Sequence, residues 1–299
     1  MKPASHARVL RERLERRDII VVPGGGSPLE VKLIAREGFE AAYLSGYATA
    51  ASRYAVPDIG LVAYGEIENA VLATTRVADV PLIVDCDTGY GDVTNMARTV
   101  QGMERLGVAA IQIEDQAWPK RCGHMDAKIV EPREVALRKL RAALDARLDP
   151  DTVIIARTDA RGPHGLDEAL ERCLMFRQAG ADVVFVDGPQ SLEELQIIGR
   201  ELAGGPLVAN MSESGLTPLL SAAELQELGF AIALFPSSTV RLCVRVIEGF
   251  LTDLKTTGDS RAWVDRMASL AQTNSALGID SMRAFEAGIL ADVQRRLGQ

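Results

Sequence analysis

Four things are missing from this chain. It has no run of 18 or more apolar residues, no closely spaced cysteines, no histidine pair at metal-binding spacing and no basic surplus. Each absence removes a class of protein. Without a long apolar run, no membrane span is expected. Cys86, Cys122, Cys173 and Cys243 are far apart and form no CxxC, which argues against a disulfide frame and a zinc site. The three histidines, His6, His124 and His164, supply no zinc-binding pair, and His6 and His164 read as surface residues. A net charge of −8 argues against nucleic acid, whose phosphates need a basic face. It leaves small anionic substrates open, because local basic residues can bind them. The first 18 residues carry charge where a secretory signal needs an apolar core, so a cytoplasmic protein is expected.

What is present is an alternation. With 47% hydrophobic and 25% charged residues, the chain reads as soluble and globular with a substantial core. Short β-branched runs recur at 19–23, 41–45, 81–86, 109–114, 152–157, 183–187, 206–210 and 231–235. Between them lie stretches of helical period at 28–37, 66–78, 94–106, 131–147, 166–179, 191–203 and 221–229, with a charged helix over 6–17 ahead of the first strand. Strands apolar throughout, rather than alternating, belong to a parallel sheet covered by helices. Eight such units predict a closed (β/α)₈ barrel, one domain over 1–299. A doubly wound open sheet would call for GxGxxG after the first strand. "PGGGSPLE" has the wrong spacing, so the barrel is preferred. Helices predicted at 239–257, 260–271 and 275–297 exceed what a barrel needs, and this extension, 239–299, must cover its apolar face on its own barrel or on a neighbouring subunit.

Barrel enzymes build their sites at the C-terminal ends of the strands. There the sequence places Tyr43, Ser45 and Gly46, then Asp85 and Asp87, Glu114, Arg157 and Asp159, Asp187, Asn210 with Ser212, and Pro236 with Ser237. The opposite connections are plain glycine stops such as "RLGVAA". Asp58, Asp85, Asp87 and Glu114 form an all-oxygen set suited to a hard cation, Mg²⁺ or Mn²⁺. For Asp85 and Asp87 alone, strand-end caps are an equal reading; on a strand, residues i and i+2 point to one face, and like charges so close call for a counter-cation. Arg157, at the end of a buried strand, needs an anion, either a substrate carboxylate or Asp159 or Asp187. Glu114 and Asp115 lead into Lys120-Arg121-Cys122-Gly123-His124, where cationic neighbours favour the thiolate of Cys122 and Gly123 permits close approach. The other three cysteines read as small core residues.

These stretches together resemble the isocitrate lyase and phosphoenolpyruvate mutase superfamily. "KRCGHM" is similar to the lyase signature K-[KR]-C-G-H; "YLSGYATAASRYAVPDIGL", "VDCDTGYG", "IQIEDQ" and "NMSESGLTPL" resemble its second-, third-, fourth- and seventh-strand regions. The similarity spans roughly 18–250. It implies a (β/α)₈ barrel, Mg²⁺, chemistry on 2-oxo or 2-hydroxy acids through an enolate, and helix exchange between subunits of a tetramer. The cysteine loop implies the lyase branch, and the lack of long insertions its short forms, acting on 2-methylisocitrate or 2,3-dimethylmalate. By position it implies Ser45, Gly46 and Tyr47 at substrate oxygens and Asp58, Asp85, Asp87 and Glu114 around the metal. Cys122 is implied as general acid, with Arg157 and Asn210 as carboxylate contacts. Methylisocitrate lyases usually have "SGG" in place of Ser45-Gly46-Tyr47, glutamate in place of Asp187, and "NITEFG" in place of "NMSESG". The reading is a Mg²⁺-dependent carbon–carbon lyase releasing pyruvate or a close 2-oxo acid. Tyr43 is the candidate base on reach, and His124 joins Arg157 in stabilising carboxylate charge. Lys120, Gly123, Asp187 and Ser212 complete the expected site. The rivals are an oxaloacetate decarboxylase or hydrolase on the same scaffold, and a non-catalytic barrel that binds 2-oxo acids.

Overall fold

In a computed structural model, which describes residues 5–16, 18–120, 128–213 and 215–298, eight parallel strands close into a barrel in sequence order. The strands are β1 Ile20–Gly25, β2 Ala42–Leu44, β3 Leu82–Asp85, β4 Ala110–Glu114, β5 Val153–Thr158, β6 Val183–Val186, β7 Leu207–Asn210 and β8 Ile232–Phe235. Helix α1 (His6–Glu15) precedes them. The connections carry α2 (Pro28–Arg36), α3 (Gly46–Thr49) running into a π-helical turn (Ala50–Tyr54), α4 (Tyr64–Thr75), α5 (Val93–Arg105), α6 (Arg133–Ala146), α7 (Arg161–His164), α8 (Leu166–Ala179), α9 (Leu192–Glu201) and α10 (Ala222–Glu227). The predicted architecture is therefore the observed one. The short helical pieces α3 and α7, too brief to show a period, were not read. Ser27, Ser191 and Ser221 cap α2, α9 and α10, each hydroxyl accepting from the N–H three residues on.

Alternation along the strands sets which side chains enter the barrel. Ile20, Val22, Tyr43, Ile83, Ala110, Val153, Ile155, Val183, Phe185, Val208, Ile232 and Leu234 pack together inside, with Leu10 of α1 joining them. Their neighbours Leu44, Val84, Ile111, Ile154, Val184 and Ala209 pack outward beneath the helices. Counting on by twos from the inward set reaches Ser45, Asp85, Glu114, Arg157, Asp187 and Asn210. The interior is thus apolar for most of its depth, and polar only over its last layer. Truncating an inner residue such as Ile155 to alanine would cost about 2–5 kcal/mol.

The chain divides into two compact units, Met1–Arg241 and Leu242–Gln299. The second contains most of α11 (Ser238–Thr257), a 3₁₀ turn (Arg261–Arg266), α12 (Leu270–Leu277) and α13 (Ile279–Arg296). Within it Trp263 folds back on α11: its indole N–H donates to Asp253 at 2.8 Å and its ring meets Phe250 edge-on. The single helix expected over 260–271 is not formed. Ser269 and Gln272 cap each other reciprocally, so a new helix starts there and "QTNS" lies inside it. Gly278, in the left-handed region, ends that helix. Leu270 and Phe285 are 78% and 71% exposed, and α13 buries none of its residues. Cys243 is exposed on α11, against the expectation of a core residue; Cys86 and Cys173 are buried as expected. No helix among the described residues is long and apolar enough to cross a membrane.

Candidate active site

At the C-terminal mouth of the barrel the inward layer becomes a charged network. Asp85 ends β3 and accepts from the Gly46 N–H at 3.2 Å. Glycine at position 46 leaves room for both carboxylates: a Cβ there would crowd them, standing 3.1 Å from Asp85 Oδ2 and 3.3 Å from Asp87 Oδ1. Asp87 does converge with Asp85, but not by strand alternation. β3 has already ended, and Asp87 reaches the mouth through a left-handed backbone, φ 47°, a strained conformation for a non-glycine residue. The Asp87 carbonyl accepts from Glu114 N–H at 2.8 Å, which ties this turn to the end of β4.

Lys120, only 4% exposed, lies 2.5 Å from Asp58 and 2.8 Å from Asp87. It is therefore held by the acids of the expected metal site. Burial alone would lower its pKa, but Asp87, Glu114, Asp85 and Asp58 together raise it well above the usual lysine value. Even so, one ammonium does not balance this half. Burial pushes Asp87 up to about 7 despite Lys120, and pushes Glu114 well above the carboxylate range despite Arg157. Glu114 Oε1 is buried without a hydrogen-bond partner among the described residues. Tyr43, fully inside, donates to Asp85; burial first and then Asp85 raise its pKa well above that of an ordinary phenol. As it stands Tyr43 is a protonated donor, which opposes the role of base.

The other half is built on Arg157. Its Nε and Nη2 donate to the two oxygens of Asp159, both at 2.9 Å, and Nη2 also reaches Asp187 at 3.1 Å. Glu114 Oε2 lies 3.5 Å from Nε, and Glu114 and Arg157 face each other across the β4–β5 register. Asn210 donates to Asp187 at 3.0 Å, while its own Oδ1 is buried without a hydrogen-bond partner among the described residues. The guanidinium is thus paired with Asp159 and Asp187, the protein partners weighed from sequence. A further ring of support was not foreseen: Asp115 accepts from Thr158, from the Asp159 N–H and from Arg172 at 2.7, 2.9 and 3.0 Å. Lys128 was also missed, because nothing in its local sequence marks it as an inward lysine.

Of the remaining expected residues, the Ser45 hydroxyl accepts from Ala48 N–H as the cap of α3, Tyr47 on α3 is half-exposed, and Ser212 is buried beyond Asn210. Cys122, Gly123 and His124 lie outside the described residues.

Among the described residues, no three metal-ligating side chains stand together as a ready cage. Mg²⁺ does not need one, since it keeps several waters and uses only one or two protein carboxylates. The orphaned Glu114 oxygen, the raised Asp87 and Glu114, and the convergence of the Asp85 and Asp87 oxygens over Gly46 fit such a cation.

A closed barrel with under-neutralised carboxylates opposite a buried arginine defines a (β/α)₈-barrel enzyme. Comparison with known proteins narrows that class. The family model described as Phosphoenolpyruvate phosphomutase matches residues 10–254. The chain is 40% identical to 2,3-dimethylmalate lyase of Eubacterium barkeri, over 94% of this chain and 96% of that one. It is also 40% identical to 2-methylisocitrate lyase of Aeropyrum pernix, over 97% and 93%. A solved oxaloacetate acetylhydrolase with the inhibitor 3,3-difluorooxalacetate superposes with TM-score 0.91 at 33% identity, covering 95% of this chain and 97% of that one. The chain belongs to the phosphoenolpyruvate mutase/isocitrate lyase superfamily. It is a carbon–carbon lyase, in a superfamily whose members generally depend on a divalent metal.

Proposed function

We propose that the protein cleaves a 2-hydroxy di- or tricarboxylate of the 2-methylisocitrate or 2,3-dimethylmalate kind, releasing pyruvate and a second carboxylate. One observation carries this reading: the mouth sets an under-neutralised acidic half beside a guanidinium half, so one molecule can present its future 2-oxo acid to the first and another carboxylate to the second. Asp85, Asp87, Asp58 and Glu114 would hold Mg²⁺ or Mn²⁺, directly or through water. When bound, that cation stabilises charge developing on the 2-oxo acid oxygens.

The remaining steps belong to the chain. Ser45, Gly46 and Tyr47 bind the substrate oxygens beside Asp85. A base takes the hydroxyl proton, the adjoining carbon–carbon bond breaks, and its electron pair goes to the carbon bearing the second carboxylate. Cys122 returns a proton to that carbon. Tyr43 donates to Asp85 and is our candidate base, its phenol becoming more acidic once positive charge offsets Asp85. Arg157, Asn210 and Ser212 hold the second carboxylate, Asp187 orients Arg157 and Asn210, and His124, Gly123 and Lys120 complete the closed site. The likeness to oxaloacetate acetylhydrolase supports a second reading, hydrolysis or decarboxylation of oxaloacetate. Release of 2-oxo acid from 2-methylisocitrate, 2,3-dimethylmalate, isocitrate and citramalate, set beside oxaloacetate turnover, separates the two. Oxaloacetate outpacing every 2-hydroxy acid would overturn the lyase substrate.

The same reading makes the protein a cytoplasmic homotetramer in which 239–299 serves assembly. The exposed Leu270, Phe285 and Leu290 are apolar surface that a neighbouring subunit would cover. Deleting 275–297 should give monomers or aggregates by light scattering. A truncated chain that stays a stable tetramer would contradict that role.

A further inference from the structure

Lys128 stands one residue past the Arg121–Ala127 stretch and runs into the barrel mouth. Its side chain is 6% exposed, although Ile129 beside it is 71% exposed. Burying an ammonium is expensive unless anions receive it, and here two do. Nζ lies 2.8 Å from Asp159 Oδ1 and 3.6 Å from Asp187 Oδ2. These are the same two carboxylates that grip Arg157. Burial acts to raise the pKa of Asp159, but Arg157 and then Lys128 outweigh it and hold the group below the usual carboxylate range.

The charges decide what Arg157 can still do. Asp159 and Asp187 are matched by Arg157 and Lys128, two against two. Arg157 donates through Nε and Nη2, and Nη1 has no hydrogen-bond partner among the described residues. Without Lys128, a single guanidinium would face both carboxylates, with Glu114 Oε2 3.5 Å away as well. An anion approaching Nη1 would then enter a net negative surround. Lys128 meets Asp159 and Asp187 on the guanidinium half, so its effect should fall chiefly on that end of the substrate.

We infer that Lys128 is a positioning residue for the substrate's second carboxylate: it neutralises Asp159 and Asp187 from the far side, so that Arg157 is fixed in place with Nη1 open to the incoming anion. This rests on the reading of the mouth as a site for a carboxylic acid cleaved into two carboxylates. It assigns a role to a side chain that need not touch the reacting atoms.

The test uses the full chain with Mg²⁺ and compares wild type with Lys128→Met, Lys128→Gln and Lys128→Arg. Calorimetric titration measures pyruvate alone, and then succinate or propionate, the second fragments from 2-methylisocitrate and 2,3-dimethylmalate, in the presence of pyruvate. Loss of such an outer partner typically costs about 10–100-fold, so Lys128→Met should weaken the second fragment by that factor while pyruvate binding stays near the wild-type value. Lys128→Arg should recover most of the loss, and in turnover KM should rise more than kcat falls. A purely structural lysine would instead lower the melting temperature and weaken both ligands alike, which overturns the inference. Should Lys128→Met fail to fold, Lys128→Gln reads the same difference with length retained. Second-fragment affinity within about twofold of wild type in the folded variant would also overturn it, since that is the scatter between independent sites. A wild type that binds neither fragment and cleaves no acid would instead remove the functional reading itself.

Discussion

The two halves of the barrel mouth differ in how their charges are settled. On one side, among the described residues, Asp58, Asp85, Asp87 and Glu114 share one ammonium, Lys120, and the outcome is visible in Asp87 held near 7 and in an orphaned Glu114 oxygen. On the other side Arg157 and Lys128 meet Asp159 and Asp187 in close pairs. Both halves are buried to a similar degree, so exposure does not explain the difference. An unbalanced buried cluster calls for something from outside, and a balanced one does not. On the proposed reading the first half receives a cation, and the second keeps one guanidinium in place for the substrate's other carboxylate.

The comparison is broken most severely by removing its acidic anchor. Asp85→Ala should reduce 2-oxo acid release to background while circular dichroism stays native, because Asp85 caps the approach of Gly46 and sits at the centre of the acids. Next in size is Cys122→Ser, which replaces the proposed acid by a far weaker one. General acid catalysis is worth about 10²–10⁴-fold, and initial rates should fall within that range. A serine variant with more than about half the normal rate would remove the thiol from the chemistry. On the balanced side Arg157→Lys keeps the charge but loses the planar fork, and kcat/KM should fall by about 10²-fold, mostly through KM.

Stability separates the two halves as well, and here they should respond with opposite sign. Asp187→Asn leaves Arg157 and Lys128 over-charged, and urea melts without metal should show a loss of about 3–5 kcal/mol. Glu114→Gln removes a carboxylate whose folded pKa is raised, which means its charged form opposes folding at neutral pH. Without metal this variant should gain on the order of 1 kcal/mol. The same sign in both melts would erase the distinction between the halves.

Much of this arrangement could be read from the chain. The strand runs placed Asp85, Glu114, Arg157, Asp187 and Asn210 at one end of one barrel, because the C-terminal ends of parallel barrel strands share one mouth. Asp87 was assigned to the right place for the wrong reason: its direction comes from a left-handed turn, which apolar periodicity does not encode. Tyr43 was placed correctly, but the rise in its pKa depends on the depth of burial beside Asp85. Lys128 was invisible, since a lysine between "MDA" and "IV" looks like any surface lysine until its partners from β5 and β6 are in place. The same holds for Cys243, whose helical surroundings suggested a core that α11 does not give it.

The central claim is that the acidic half takes a divalent cation and the whole mouth then cleaves a 2-hydroxy acid. Its most direct test is pyruvate release from 2-methylisocitrate and 2,3-dimethylmalate, followed in one preparation before chelation, after exhaustive EDTA treatment and after Mg²⁺ or Mn²⁺ is returned. The account predicts cleavage of at least one acid, loss to background on chelation, and recovery with either metal. Undiminished pyruvate release after complete removal of metal would contradict it.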